Sequence, residues 1–439
     1  KLLHHAVGRD LEATLRVFEP FTAAVARIDR AEEAVPTIDR LLRTALDTKR
    51  PVYLEIPYDM QLAECRVEGP LNYLAPRSDP QALSQAAERI AKAVNGTSSV
   101  GALVGVFVDR NSLQDATEAM LAQSNLPFAT TYDQKAGYLE HLPNCVGFWQ
   151  GAMSPEPVID ATERAELLLT IGMPQTDFNL GFLSTELIEA HLIELSHDHV
   201  IIRGELIQGV YLRELLPRLA EQLIPRAGPP AEDTFPFTYT KPLSTVEGKP
   251  LTVESMYPQL AHFIQEGDIV TGNTGGYINM SRMRLKRGIV TAGPNNWGSL
   301  GAVFPISIGM AFASPGRRVI CLDGDGSFQM TGMELSTLLR HSIDFMLVIL
   351  NNAGYTAERA IHPERDDSYN DVQVWRYHLL PEAFGGPEGS NGFEIHTEGQ
   401  FAEALNAFKP GRGPCLLNAH LGKMDVAAFN LEMSAKLRH

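Results

Sequence analysis

D-G-D-G-S-F-Q-M-T-G-M-E-L-S-T-L-L-R-H-S-I-D-F-M-L-V-I-L-N-N-A-G-Y-T-A-E, from Asp323 to Glu358, is the stretch whose reading decides the fold. It follows an apolar run, Val319 to Leu322, and turns through Gly324, Asp325, Gly326 and Ser327. Apolar residues then recur at helical spacing: Met330, Met333, Leu335, Leu338 and Leu339. A second apolar run, Phe345 to Leu350, ends in Asn351-Asn352-Ala353-Gly354. Two continuous apolar runs around one helix predict a βαβ unit in a buried parallel sheet. Such sheets bind ligands beyond the carboxyl ends of their strands, where Asp325 and Asn352 fall.

The residues at that edge suit a metal–diphosphate clasp. Mg²⁺ takes hard oxygen ligands and commonly keeps phosphate oxygens among them. Asp325 offers a carboxylate, Asn352 an amide oxygen and Gly354 a backbone carbonyl. Gly324 and Gly326 allow close backbone approach, and Ser327 at a helix start can donate to phosphate. Upstream, Thr271-Gly272-Asn273-Thr274-Gly275-Gly276 closes another apolar strand. Its small polar residues make Asn273 and Thr274 further candidates for diphosphate contact.

G-D-G-S followed by N-N-A-G-Y-T-A-E-R-A-I-H resembles the thiamine diphosphate signature of the 2-oxo acid decarboxylases, the pyruvate, indolepyruvate and phenylpyruvate decarboxylase family. The resemblance implies thiamine diphosphate and Mg²⁺ as cofactors, with Asp325, Asn352 and Gly354 on the metal and Gly326, Ser327 and Tyr355 in the cofactor site. It assigns Glu358 to catalysis, facing the substrate and partly desolvated with a raised pKa. It places Ala357 and Ile361 in the substrate pocket. Trp297-Gly298-Ser299-Leu300-Gly301 is similar to the loop that holds the aminopyrimidine, with Leu300 as the wedge that bends the cofactor and Gly298 and Ser299 beside it. His4-His5 resembles the family's paired catalytic histidines. The turn at Asn273 departs from the family's usual pattern, in which threonine or aspartate flanks one glycine.

Length and composition agree with this. At 439 residues the prior is about three domains. A net charge of −16 disfavours nucleic-acid backbones and anionic membranes. Four widely spaced cysteines suit free thiols in a reducing compartment, and a cytoplasmic location is expected. No apolar run reaches the roughly 18 residues of a membrane span.

The expected fold class is α/β, with three doubly wound parallel-sheet domains, the first incomplete. Residues 1–65 read as the last part of a pyrimidine-binding domain, with a helix over Pro36–Leu46 and a strand over Val52–Pro57. A linker over 66–80 leads to a middle domain, 81–225. Its expected helices lie near Gln81–Val94, Ser112–Gln123 and Val210–Leu223. Its expected strands lie near Val100–Val108, Leu126–Thr130, Ala165–Ile171 and His199–Arg203. Asp177-Phe178-Asn179 resembles the family's turn in that domain, which carries no chemistry there. A Pro-rich linker, 226–250, precedes the diphosphate-binding domain, 251–439. The tail from Gly422 resembles the segment that lies over the family's active-site entrance.

The activity the resemblance implies is non-oxidative decarboxylation of a 2-oxo acid to an aldehyde and CO₂. Alanine at 357 stands where pyruvate-specific relatives carry a bulky β-branched residue. A larger substrate, phenylpyruvate or indolepyruvate, is therefore expected over pyruvate. Active sites between subunits imply a homodimer or homotetramer. The family's cofactor-activating glutamate should precede the paired histidines by many residues, yet only three residues precede His4. A chain lacking its amino-terminal segment is the expectation; a non-catalytic, cofactor-binding remnant is the alternative. Carboligation of the acetolactate synthase type is a third reading.

Overall fold

The apolar runs become strands of two large sheets, and the two ends of the central βαβ unit meet at one edge. The computed structural model describes residues 10–228, 231–294, 297–387, 391–409 and 411–437. Residues up to Pro80 form one unit and residues from Gln81 another. His4 and His5 lie outside the described residues.

In the first unit, β1 (Val25–Arg27) and β2 (Tyr53–Glu55) pair in parallel, Val25 opposite Tyr53. Parallel neighbours need a long crossover, and the helix Ala34–Thr48 lies within it. That helix buries Leu41 and stops at Lys49, whose φ of 54° is left-handed. Arg27, on the strand, is ion-paired with Glu12, Asp29 and Glu55. The expected helix and the expected strand are present with shifted ends. β1 is too short to show a pattern of its own.

The second unit holds a seven-stranded and a six-stranded sheet. The first is built from β3 (Val100–Val104), β4 (Phe128–Thr131), β5 (Cys145–Trp149), β6 (Leu167–Ile171), β7 (Leu192–Leu195), β8 (His199–Ile202) and β9 (Glu205–Gln208), in the order β5-β4-β3-β6-β7-β8-β9. The pairs from β5 through β7 are parallel, but β7–β8 and β8–β9 are antiparallel. This corrects the expectation of a wholly parallel sheet. Only Arg203 and Gly204, at φ 50° and 83°, join β8 to β9, and a two-residue link with positive φ at both positions makes a hairpin. The expected strand to Val108 stops at Val104. A Cβ on Gly105 would lie 2.3 Å from the Met173 Cα, and a short helix, Phe107–Arg110, follows. Between the expected strands Leu126–Thr130 and Ala165–Ile171 lies one more, β5, with all five residues buried. Asn179, in the D-F-N turn, accepts from the Asp133 N–H (3.2 Å) and donates to the Pro174 carbonyl (2.8 Å).

The second sheet is all parallel. It comprises β10 (Ile269–Gly272), β11 (Val290–Ala292), β12 (Val319–Gly324), β13 (Phe345–Asn351), β14 (Gly392–Ile395) and β15 (Cys415–His420), in the order β11-β10-β12-β13-β15-β14. From β10 the chain moves outward to β11, then returns to β12 and continues the other way to β13. The strand order therefore reverses between β10 and β12, and a crevice opens at that point. The single helix expected after β12 is three pieces, Asp325–Thr331, a 3₁₀ turn Gly332–Glu334, and Leu335–Arg340. Gly332 packs on the Phe328 ring, 2.9 Å from where a Cβ would stand. The break turns Met330 and Met333 outward, so both are exposed rather than core.

The two sheets share one continuous apolar core. Within the same unit, Lys135 Nζ lies 2.6 Å from both oxygens of Glu140, and both side chains are fully buried. Glu140 also accepts from the Leu285 N–H at 3.0 Å, which joins the hairpin-edged half to the all-parallel half. Among the described residues no helix is long and apolar enough to cross a membrane. The four cysteines are free thiols, and Cys145, Cys321 and Cys415 are buried.

Candidate active site

A cavity of about 330 Å³ opens at the strand-order reversal. Asn273, Thr274, Gly298, Leu300, Asp325, Gly326, Ser327, Asn352, Gly354, Tyr355, Ala357 and Glu358 line it. Ser299 and Ile361 are not among the lining residues. Ser299 is exposed on its loop between Gly298 and Leu300, and Ile361 closes the helix Thr356–Ile361 half-buried.

Asp325 follows β12 directly and is fully buried. Its Oδ1 accepts from the Gly326 N–H at 2.7 Å and its Oδ2 from the Gly354 N–H at 3.0 Å, so one carboxylate bridges both turns of the βαβ unit. Burial pushes its pKa up to about 6, against those amides, which favour the charged form. Asp323, one pleat earlier, is pushed up to about 7 by burial. Ser327 and the Gly324 N–H stand near enough to favour its charge, but neither closes a hydrogen bond to it.

The second turn is strained into shape. Ala353 has a left-handed φ of 59°, and Gly354 has φ 141°. A Cβ on Gly354 would lie 1.9 Å from the Asn370 carbonyl oxygen, so no other residue fits. Asn352 Oδ1 is buried without a partner. The Gly354 carbonyl accepts from the Thr356 N–H at 3.1 Å and keeps a second lone pair. Carboxylate, amide oxygen and carbonyl make the hard, all-oxygen donor set that fits Mg²⁺.

Three more orphaned oxygens belong to residues that line the same cavity: Thr274 Oγ1, Asn279 Oδ1 and Asn430 Oδ1. Buried polar atoms without partners are uncommon in native proteins and point to a missing ligand. Asn273 differs from the expectation. Its Oδ1 accepts from the Gly276 N–H at 2.7 Å and caps the helix Thr274–Ser281, which leaves only its amide nitrogen for a ligand. Ser327 Oγ accepts from the Gly301 N–H at 3.0 Å and keeps its hydroxyl proton to donate.

Glu358 and Ala357 stand in the first turn of their helix, at the cavity wall, and both are exposed. The expected desolvation of Glu358 is thus not present: its side chain is exposed, although Thr356 and Arg359 of the same turn are buried. Residues at and beyond the start of the tail reach the cavity. Leu421, Asp425 and Val426 line the cavity, and so do Asn430 and Ser434 of the helix Ala428–Leu437.

Sequence reasoning missed Arg359. Its guanidinium is fully buried and donates to the carbonyls of Asn352 (3.1 Å), Ala353 (2.8 Å), Asn370 (3.1 Å) and Lys423 (3.3 Å), and to Asp371 Oδ1 (2.7 Å). It fixes the turn that carries the candidate metal ligands and ties it to the start of the tail. An arginine in a first helical turn reads as surface, and no periodicity marked it. Asn279 and Asn430 were missed as well: Asn279 lies one turn beyond the Thr271–Gly276 motif on the helix Thr274–Ser281, and Asn430 lies on the tail helix, far from any motif.

Residues 271–419 match the C-terminal TPP-binding domain of thiamine pyrophosphate enzymes. The chain is 33% identical over 420 residues to an alpha-keto-acid decarboxylase of Mycolicibacterium paratuberculosis, covering 93% of this chain and 72% of that protein. It is 30% identical over 416 residues to a pyruvate decarboxylase of Candida glabrata, covering 91% and 72%. Among solved structures, the benzoylformate decarboxylase of Polynucleobacter necessarius superposes with a TM-score of 0.69 at 15% identity, over 94% of this chain and 78% of that one. At that identity the likeness is one of fold.

Proposed function

The chain belongs to the family of the alpha-keto-acid and pyruvate decarboxylases, and from that membership we propose how its cavity divides the work. The enzyme splits a 2-oxo acid into an aldehyde and CO₂. Bound thiamine diphosphate supplies the electron sink that no side chain provides. Asp325, Asn352 and the Gly354 carbonyl hold Mg²⁺. Ser327 donates to the diphosphate beside the helix start at Asp325, and Gly326, without a side chain, lets it approach the backbone. Thr274 and the Asn273 amide contact it from the other side of the crevice. Leu300 supports the bend of the cofactor, and Tyr355, whose ring covers Gly326, walls the site. Glu358 delivers a proton at the cavity mouth, and His4 and His5, by their resemblance to the family's pair, are further candidates for proton transfer.

The observation that carries this reading is the Asp325 carboxylate, held by two turns beside the unpartnered Asn352 Oδ1. Isothermal titration with thiamine diphosphate at saturating Mg²⁺ tests it. Asp325→Asn is expected to weaken binding at least 100-fold while the far-ultraviolet circular dichroism stays unchanged. Undiminished affinity in the folded variant would sink the assignment.

The substrate we propose is bulkier than pyruvate, because Ala357 leaves the wall open. The division into a pyrimidine-binding part (1–65), a middle domain (81–225) and a diphosphate-binding domain (251–439) belongs to the same reading. So does a homodimer or homotetramer: Trp297, Leu300, Met330 and Met333 are exposed and apolar near the cavity, and a second chain would cover both them and Glu358. Free thiols suit a reducing compartment, and we place the enzyme in the cytoplasm.

A further inference from the structure

β14 is the edge strand of the all-parallel sheet, with Glu394 opposite Asn418 and Ile395 opposite Ala419 on β15. Side chains alternate faces along a strand. Glu394 and the following His396 therefore share a face with Asn418 and His420. Glu394 Oε1 lies 3.3 Å from His420 Nε2 and 3.8 Å from His396 Nε2. The two imidazole rings are stacked, 4.2 Å between centroids and 14° between planes. One ligand atom from each of the three residues falls within 4.8 Å of the other two.

These spacings are those of a chelate. Ligands about 2.1 Å from a tetrahedral metal stand about 3.4 Å apart. The two distances to Glu394 bracket that value, and the third, between the two imidazoles, lies within 4.8 Å. Asn351 donates to Asn418 Oδ1 at 2.9 Å, which leaves the Asn418 amide nitrogen as donor toward His420 Nε2 at 3.1 Å. Nε2 is then the unprotonated ring nitrogen, and an ion would take its lone pair in exchange for the Asn418 hydrogen bond. His378 Nε2 stands 3.8 Å from the other Glu394 oxygen, and its Nδ1 is buried without a partner. Imidazole nitrogen selects zinc-type dications, whereas the all-oxygen set at Asp325 selects magnesium.

We propose that Glu394, His396 and His420 form a second metal site, for a first-row transition dication such as Zn²⁺, with its fourth position open to water. The ion would clip the edge strand β14 to β15 and leave the Asp325 site untouched. Zn²⁺ titration of the protein saturated with thiamine diphosphate and Mg²⁺ tests this, with isothermal calorimetry and the thermal midpoint as readouts. One equivalent is expected to bind and to raise the midpoint. The double variant His396→Ala/His420→Ala, and separately Glu394→Gln, are expected to weaken that binding at least 100-fold and 10-fold while retaining the wild-type circular dichroism. Absence of Zn²⁺ binding overturns the proposal. So does binding that survives the double substitution, because the ion then sits elsewhere in the chain.

Discussion

Arg359 has no exposed surface, yet its charge meets a single carboxylate, and its other donors are spent on carbonyl oxygens. A buried carbonyl that loses its donor costs about 1–3 kcal/mol. Arg359→Met strips several at once and should destabilise the fold by on the order of 3 kcal/mol in urea unfolding, and Arg359→Lys should recover only part, since an ammonium cannot span the same fork. Full stability in either variant would contradict this account. Asp325, Asn352 and Gly354 were legible in the sequence because oxygen chemistry and strand ends identify them without knowledge of packing. Arg359 was not, because its role exists only once Asn352, Asn370 and Lys423, distant in sequence, have been brought around it. Asn273 shows the opposite case: its position was legible, but a polar residue before a helix serves the helix first.

At the level of elements, β12, β13 and the crevice between β10 and β12 could be read from apolar runs of ordinary length. The elements that escaped were short or two-faced: β5 within a Gly-rich stretch, β7 and β9 with partly exposed residues, and the hairpin at Arg203-Gly204. Their pairing is decided by which neighbour lies within reach, a tertiary matter. The helix Thr356–Ile361 presents Ala357 to the cavity from its first turn, whereas Ile361 is its last residue and does not line the cavity. Ala357→Ile should therefore narrow the wall. We expect kcat/KM for phenylpyruvate to fall relative to pyruvate by roughly 10–200-fold, the worth of a few methylenes in a pocket. Steady-state kinetics on both acids checks it, and an unchanged ratio would remove Ala357 from specificity.

On the scale of the whole molecule, the Lys135–Glu140 pair couples one sheet to the other through Leu285. Glu140→Ala leaves an ammonium buried and alone, at a cost of about 3–5 kcal/mol. Burial lowers the Lys135 pKa below its ordinary 10.5 in the folded chain, so in that variant the unfolded chain binds the extra proton. Stability of the variant should accordingly climb as pH rises toward 10.5 and fall as pH drops, in chemical denaturation at several pH values. A flat profile would argue that water reaches the lysine. The Ser327 hydroxyl has a different kind of consequence. Because it accepts from the Gly301 N–H, the loop bearing Trp297 is latched to the helix that is to meet the diphosphate. Of the three tryptophans Trp297 is 90% exposed, whereas Trp149 is buried and hydrogen-bonded to Glu163 and Trp375 packs on Tyr377 at 37% exposure. The chain thus carries its own optical probe. Adding thiamine diphosphate and Mg²⁺ should shift the indole emission to the blue, and Trp297→Phe should silence that signal, which would make occupancy of the cavity readable without a label or a turnover.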